Sequence, residues 1–348
     1  MNERARIVRL GARLSGLLLV GCLAACFGGG PLNEKAYVGP EKLRLKSSTA
    51  QAARYVAELK GGDPVTITDR EDAEDGTSWA EVRGPGGETG WAEVRFLVKA
   101  ELVDEARRIA EQSRQIPTQA IGKSKAALKL RLTPDRATEE NVAILIPSGT
   151  LMEIVARERK PRPAIKEADS ESDDPLAPPP SNVPPDVKYD DWFLVRIKDF
   201  SVVPAGWIYG GSVGLEIPPE IIYFVSEGRR ISGWHKIGTF HEEDGRTGDH
   251  YLVLEHKLFE GNDEMDFDRV KVLAYDPATR NYSTPFREDI SGRYPVTLNM
   301  NGTRGQFKLK AIDKNGQARD LSYEIEMLDA GRIKVTKIPG PTERPTAQ

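Results

Sequence analysis

Reactive side chains are scarce in this sequence. Among 348 residues there are two cysteines, Cys22 and Cys26, and four histidines. With no cysteine after position 26, the remaining chain forms no internal disulfide and must fold on its hydrophobic cores. The same lack excludes a thiolate nucleophile working beside a histidine. The four histidines, His235, His241, His250 and His256, fall in one short span among Glu242, Glu243, Asp244 and Asp249. None stands at the helical His-x-x-x-His spacing of zinc enzymes, although His241 and His250, flanking a glycine-containing loop, are a conceivable carboxylate-rich metal site. The reading that needs least is that the histidines are exposed loop residues, and no cofactor is expected. No phosphate-cradling glycine loop and no dinucleotide fingerprint is present. Gly211-Ser212-Val213-Gly214 is only part of a nucleophile elbow, and it follows a glycine–tryptophan strand instead of entering a helix. Net charge is −4, with no basic stripe interleaved with aromatics, so nucleic-acid binding has no electrostatic footprint.

What is present begins with a charged N-terminus. Residues 2–13 carry four arginines against one glutamate, and 14–25 form an apolar run broken only by small residues. This is the pattern of a secretory signal peptide, too short to remain as a membrane-spanning helix. The run ends in Leu23-Ala24-Ala25-Cys26, which resembles the lipobox of bacterial lipoproteins. The resemblance implies a diacylglyceryl thioether on Cys26, cleavage before it and acylation of the new amine. An overlapping box, Leu19-Val20-Gly21-Cys22, makes Cys22 the second choice. The implied location is the cell envelope, anchored to a membrane by lipid. Phe27 after the cysteine implies the outer membrane, facing the periplasm, if the host has two membranes. A tether, 26–35, containing Gly28-Gly29-Gly30-Pro31, then spans at most about 35 Å, which keeps the next unit close to the bilayer.

From 36 to 99 the sequence reads as short strands separated by turns. Leu43-Arg44-Leu45 alternates, and Tyr55 to Leu59 leads through Gly61-Gly62-Asp63 into Val65-Thr66-Ile67. Trp79 to Val82 is then joined by Gly86-Gly87 to Gly90-Trp91. This ordered set resembles the bacterial SH3-like domain, which implies a small β-barrel. Lys46-Ser47-Ser48 departs from the arginine, glycine and proline common there in that family. The landmarks recur over 117–216. Lys42-Leu43-Arg44-Leu45 is matched by Lys129-Leu130-Arg131-Leu132, Trp79 to Val82 by Trp192 to Val195, and Gly90-Trp91 by Gly206-Trp207. Between the copies, over 100–116, Leu102, Val103, Ala106, Ile109 and Ala110 stand at helical spacing, predicting one amphipathic helix that braces one barrel against the next and is ended by Pro117.

The second copy carries an insertion, 159–186, rich in proline and acid and nearly free of large apolar residues, which predicts a disordered spacer. Over 217–339, successive strand patterns punctuated by Asn301-Gly302, Asn315-Gly316 and Ala330-Gly331 predict an antiparallel meander, a barrel or curved sheet, before a loose tail at 340–348. The expected fold is therefore all-β: two tandem SH3-like barrels, one linker helix and a C-terminal meander. The expected function is binding without catalysis, with peptidoglycan or an envelope protein as the partner that the resemblance implies. Candidate ligand residues are Tyr37, Tyr55 and Trp79 in the first barrel and Trp192 and Tyr209 in the second. The alternative is an accessory enzyme or metal-binding protein centred on His241 and His250.

Overall fold

The computed structural model describes residues 33–162, 189–198, 202–257 and 265–340. Both cysteines, the signal peptide, residues 26–32 of the tether, residues 163–186 of the insertion and the last eight residues lie outside them, while Glu34 and Lys35, expected in the tether, begin the first strand. Strand dominates at 59%, with one α-helix, so the fold is all-β.

The first module is built from β1 (Glu34–Val38), β2 (Lys42–Lys46), β3 (Tyr55–Lys60), β4 (Pro64–Asp72), β5 (Ser78–Arg83), β6 (Thr89–Glu93) and β7 (Leu97–Lys99). In β2, KLRLK, the period-two pattern buries Leu43 and Leu45 and turns Lys42 and Arg44 outward. The inward residues of these strands meet as one core, with Val38, Leu45, Leu59, Ile67 and Val82 as its large, fully enclosed side chains. Strand order is β3-β2-β6-β5-β4-β1-β7.

The second module repeats this order strand for strand. It comprises β8 (Ala120–Ser124), β9 (Leu128–Arg131), β10 (Val142–Ile146), β11 (Leu151–Pro161), β12 (Tyr189–Arg196), β13 (Ala205–Tyr209) and β14 (Val213–Leu215). The sheet runs β10-β9-β13-β12-β11-β8-β14, each strand seven places on from its counterpart. Small fixed points repeat as well. The Gly62 amide donates to the Val38 carbonyl at 2.9 Å and the Gly149 amide to the Ser124 carbonyl at 2.8 Å. Both glycines have φ above +80°, where a Cβ would be strained.

The register corrects one expectation. Lys46 pairs with Trp91, and Arg131 pairs with Trp207. Lys46 therefore corresponds to Arg131, Leu45 to Leu130 and Arg44 to Lys129. The KLRL match in the sequence is displaced by two residues, a slip that keeps every side chain on its proper face and so leaves the hydrophobic pattern intact. A second correction concerns the insertion. Arg159, Lys160 and Pro161 pair with Asp191, Asp190 and Tyr189, so β11 and β12 run out together as an arm past the predicted start of the insertion at 159.

Helix α1 (Ala100–Ser113) joins the modules. It buries Val103, Ala106 and Ile109 in the second module's core, where Val98 and Tyr37 of the first also pack. Its last carbonyls lack partners within the helix, and Arg196 supplies them. One guanidinium nitrogen donates to the carbonyls of Ser113 at 2.8 Å and Ile116 at 3.0 Å. Nε of the same arginine bonds Glu153 at 3.0 Å, which ties the helix end to the second sheet.

The third unit is a curled antiparallel half-barrel. Its strands are β15 (Arg229–His241), β16 (Thr247–Lys257), β17 (Phe267–Asp276), β18 (Asn281–Asn301), β19 (Arg304–Ile312), β20 (Ala318–Met327) and β21 (Ile333–Ile338), paired in chain order. The inner face packs Phe307 flat on Tyr323, centroids 4.5 Å apart, with Phe286 edge-on to both. Strand β16 is buried on both faces because Ile221 and Phe224, from the segment before β15, cover its outer side. Glu255 pins that segment: it accepts from the Ser226 amide and hydroxyl at 2.9 Å each and pairs with Lys271 at 2.5 Å.

Gln119 fastens the half-barrel to the second module. Its side-chain amide donates to the Val296 carbonyl at 3.1 Å and accepts from the Val296 amide at 2.8 Å, while its own carbonyl accepts from Trp234 at 2.9 Å. All of this occurs at a residue with no exposed surface.

Candidate functional site

The two modules share a scaffold but treat one surface differently. On β5 and β12 the tryptophans correspond, Trp79 facing Glu93 across β6 and Trp192 facing Tyr209 across β13. What lies over each tryptophan is set by the connection from β2 to β3, or from β9 to β10.

In the second module this connection folds back as a cap. The Leu132 amide donates to the Asn141 carbonyl at its base, and the Asn141 side chain donates to the Thr133 hydroxyl at 2.7 Å and the Asp135 carbonyl at 3.0 Å. Arg131, almost fully buried, donates to the Thr138 carbonyl at 2.6 Å and to the Asn141 side chain at 2.7 Å. Glu139 lies across two cations, 2.5 Å from Lys129 and 3.0 Å from Arg131. Its carboxyl is held below the usual glutamate range by Lys129 first and Arg131 second. Arg136 caps the Tyr209 ring at 5.1 Å and pairs with buried Asp190. Beneath them Trp192 is 2% exposed and meets Tyr209 edge-on at 6.2 Å. The candidate pair Trp192 and Tyr209 is thus covered by the module's own chain.

In the first module Trp79 is also buried, at 8% exposure, but the rim of the same place is open. The connection between Ser47 and Arg54 is two residues shorter than that between Leu132 and Asn141 and holds itself by the Ser47 amide to the Arg54 carbonyl. Lys46 lies over the Trp79 ring at 5.1 Å, with its ammonium also 3.3 Å from the Gln51 carbonyl. Arg44 lies over Tyr55 at 5.5 Å, and Tyr55 is 61% exposed. A groove of about 240 Å³ runs between Tyr55 and Trp79, floored by Leu43, Ala92, Pro40 and Phe96. Pro40, Lys42 and Phe96 also line a larger cleft of about 1060 Å³ that continues to Ile144, Leu145, Pro147 and Val202 of the second module. Along both stretches the charged lining is Lys42, Arg44, Lys46, Lys60 and Arg95 against Glu41 and Glu93, so the surface favours negative charge.

Tyr37 is a correction: it does not line this groove. It is half-buried against the helix junction with Arg107 over its ring at 5.1 Å. Tyr55 and Trp79 are brought together. The sequence reading does not single out the cations Arg44 and Lys46: Arg44 stands in an alternating strand, and Lys46 in the stretch that departs from the family's loop. The acidic Glu139-Glu140 pair in the longer connection of the second copy was the available signal.

The histidines do not form a loop cluster. His235, His241, His250 and His256 lie within β15 and β16, and His250 and His256 are buried. His250 sits opposite Gly238, away from the exposed His241, and its Nδ1 accepts the Tyr275 amide at 3.0 Å. Among the described residues no group of three or more histidine, cysteine, aspartate or glutamate side chains could hold a metal ion. His235 is half-buried as a residue, but its Nε2 is sealed from solvent and has no partner. Burial pushes its pKa down to about 4. The folded value lies below the unfolded value of about 6.5, so the unfolded chain takes up the proton first and stability falls as pH drops from about 6.5 to about 4. The loss assigned to this ring is about 2 kcal/mol, discounted for its partial exposure. Urea unfolding at pH 7 and pH 4 should show His235→Leu losing less stability over that interval than the unaltered protein by this amount. Equal losses would show that His235 is not the sensitive group.

No family model matches the chain, and no curated protein matches it. Among solved structures it is similar to NlpC2 from Trichomonas vaginalis, with 11% identity over 88% of this chain and 96% of that one, at a TM-score of 0.17. A superposition that poor carries no argument about fold or function. The site rests on its own geometry.

Proposed function

We propose that this is a non-enzymatic, lipid-anchored envelope protein that binds a wall peptide or another envelope protein through the open groove of its first module. The observation that carries the reading is the contrast between the copies: both tryptophans are buried, but the rim of one is covered by its own chain, and that of the other keeps an exposed tyrosine, an exposed arginine and a half-buried lysine. A preformed groove with an aromatic and aliphatic floor and a few placed charges is a recognition surface. The second module and helix α1 then serve as its rigid mount. The anchor belongs to the same reading and rests on the lipobox at Cys26.

Full-length protein in detergent, mixed with purified sacculi or crosslinked in native envelopes, is the test. Tyr55→Ala combined with Lys46→Glu alters one exposed and one half-buried surface group and should leave folding intact while lowering capture at least about tenfold. Capture unaffected by the double substitution, or release of soluble muropeptides from the sacculi, would overturn the proposal.

A further inference from the structure

In the second module a chain segment folds over the tryptophan–tyrosine pair, with Arg136 against the Tyr209 ring, whereas the shorter connection of its twin leaves Tyr55 exposed. Four correspondences relate the two modules. Lys129 and Arg131 occupy the positions of Arg44 and Lys46, Trp192 that of Trp79, and Ile146 that of Leu59, all by strand pairing. The seated segment places a single carboxylate, Glu139, across the first two of these. In the first module Lys46 meets no carboxylate among the described residues; it lies against a ring face and one carbonyl oxygen. Arg44 meets only Glu58, at 3.2 Å, in a pair whose members are 65% and 45% exposed. Lys42 reaches the same carboxylate at 4.0 Å. The template pair is similarly exposed, Lys129 at 49% and Glu139 at 64%, so what distinguishes it is its second cation, the nearly buried Arg131. A single exposed pair such as Arg44–Glu58 exchanges readily for a two-cation arrangement.

We infer that the open groove of the first module takes an acidic segment of a partner protein, one carboxylate bridging Arg44 and Lys46 as Glu139 bridges Lys129 and Arg131. The inference rests on the binding role proposed above and narrows it to a ligand class. An ordinary L-peptide is the occupant because the internal template is one: its ends are tied by main-chain bonds from the Leu132 amide to the Asn141 carbonyl and from the Val142 amide to the Glu139 carbonyl. The surplus of positive charge along the groove matches such a segment. Glu58 is its internal competitor.

The probe is a synthetic nonapeptide with the sequence of residues 133–141, alongside a second peptide with glutamine in place of Glu139. The full-length chain in detergent carries fluorotryptophan, and the Trp79 resonance is assigned with Trp79→Phe. The first peptide should shift the Trp79 resonance and leave that of Trp192 in place. Affinity should fall about tenfold with the glutamine peptide or with Lys46→Gln, and rise about threefold with Glu58→Gln. Added salt should weaken it. Equal binding of the two peptides, a neutral Lys46→Gln, or no shift at Trp79 would overturn the inference. If sacculus or envelope capture still depends on Tyr55 and Lys46 in that event, the broader binding role stands and the ligand is of another class, such as a wall stem peptide. If capture is also lost, both fall together.

Discussion

Replacing Arg157 by methionine is expected to destabilise the junction of the second module and the half-barrel by about 3–5 kcal/mol at pH 7. Arg157 is 9% exposed and lies between two carboxylates, 2.5 Å from Asp191 and 3.1 Å from Asp266, with the Met265 carbonyl at 3.0 Å. Asp191 is partly exposed and can turn to water. Asp266 is buried; besides Arg157 it accepts only the Tyr294 amide, at 2.7 Å, among the bonds described. Burial already raises its pKa against the opposing pull of that amide and of Arg157. Without the guanidinium an uncompensated carboxylate remains in a low-dielectric site, and that is the source of the cost. The pH dependence follows from the sign of the shift. A folded carboxyl pKa above the unfolded value of about 3.8 means that the native state is favoured by protonation, so the penalty is largest at neutral pH and shrinks as pH falls through the raised pKa. Denaturant unfolding at pH 7 and pH 4 should therefore give a smaller deficit at the lower pH, and Asp266→Asn in the Arg157→Met background should recover most of it at pH 7. A deficit that is the same at both pH values and untouched by Asp266→Asn would assign the loss to packing.

Much of the fold was legible because alternation and turn chemistry agreed along it. Leu43 and Leu45, the Gly62 and Gly149 turns and the paired tryptophans mark the same places in sequence and in structure. The helix is visible as Val103, Ala106 and Ile109 at helical spacing, and these are the residues it buries. What escaped had a broken period. Strand β15 was not foreseen because its register shifts next to Gly233 and Gly238, and each bulge resets the alternation. Tyr282 to Phe286 and Tyr294 to Leu298 read as two strands, yet both belong to β18, whose partner changes from β17 to β19 at Gly292. A Cβ there would lie 2.4 Å from the Phe267 ring. The groove was half legible. Aromatic residues at family landmarks named Tyr55 and Trp79, but no pattern in one sequence states whether a neighbouring connection lies over a surface or away from it. That depends on two residues of length and on where Arg131 finds its acceptors.

Grafting the cap should close the open groove. The exchange replaces residues 48–53 by the eight residues 133–140 and adds Lys46→Arg and Arg54→Asn, so that the arginine and asparagine that hold the cap are supplied with it. The bases of the two connections are already alike, the Ser47 amide meeting the Arg54 carbonyl at 2.9 Å and the Leu132 amide meeting the Asn141 carbonyl at 2.9 Å. Arg44 stands where Lys129 does and offers the grafted glutamate its second cation. The covering segment and an external ligand compete for one surface, and the dissociation constant is divided by the fraction of time that the surface is free. A cap closed about 99% of the time lowers apparent affinity about a hundredfold. Capture of the partner should fall by that order while the unfolding midpoint holds or rises, and iodide quenching of Trp79 fluorescence should weaken as the ring is covered. The same graft with glutamine at the position derived from Glu139 should regain about tenfold of the lost affinity, because the charge-assisted contacts that close the cap are removed. Undiminished capture by a folded graft whose Trp79 is shielded from iodide would place the binding surface elsewhere, with the long cleft beside Ile144 and Leu145 the next surface to alter.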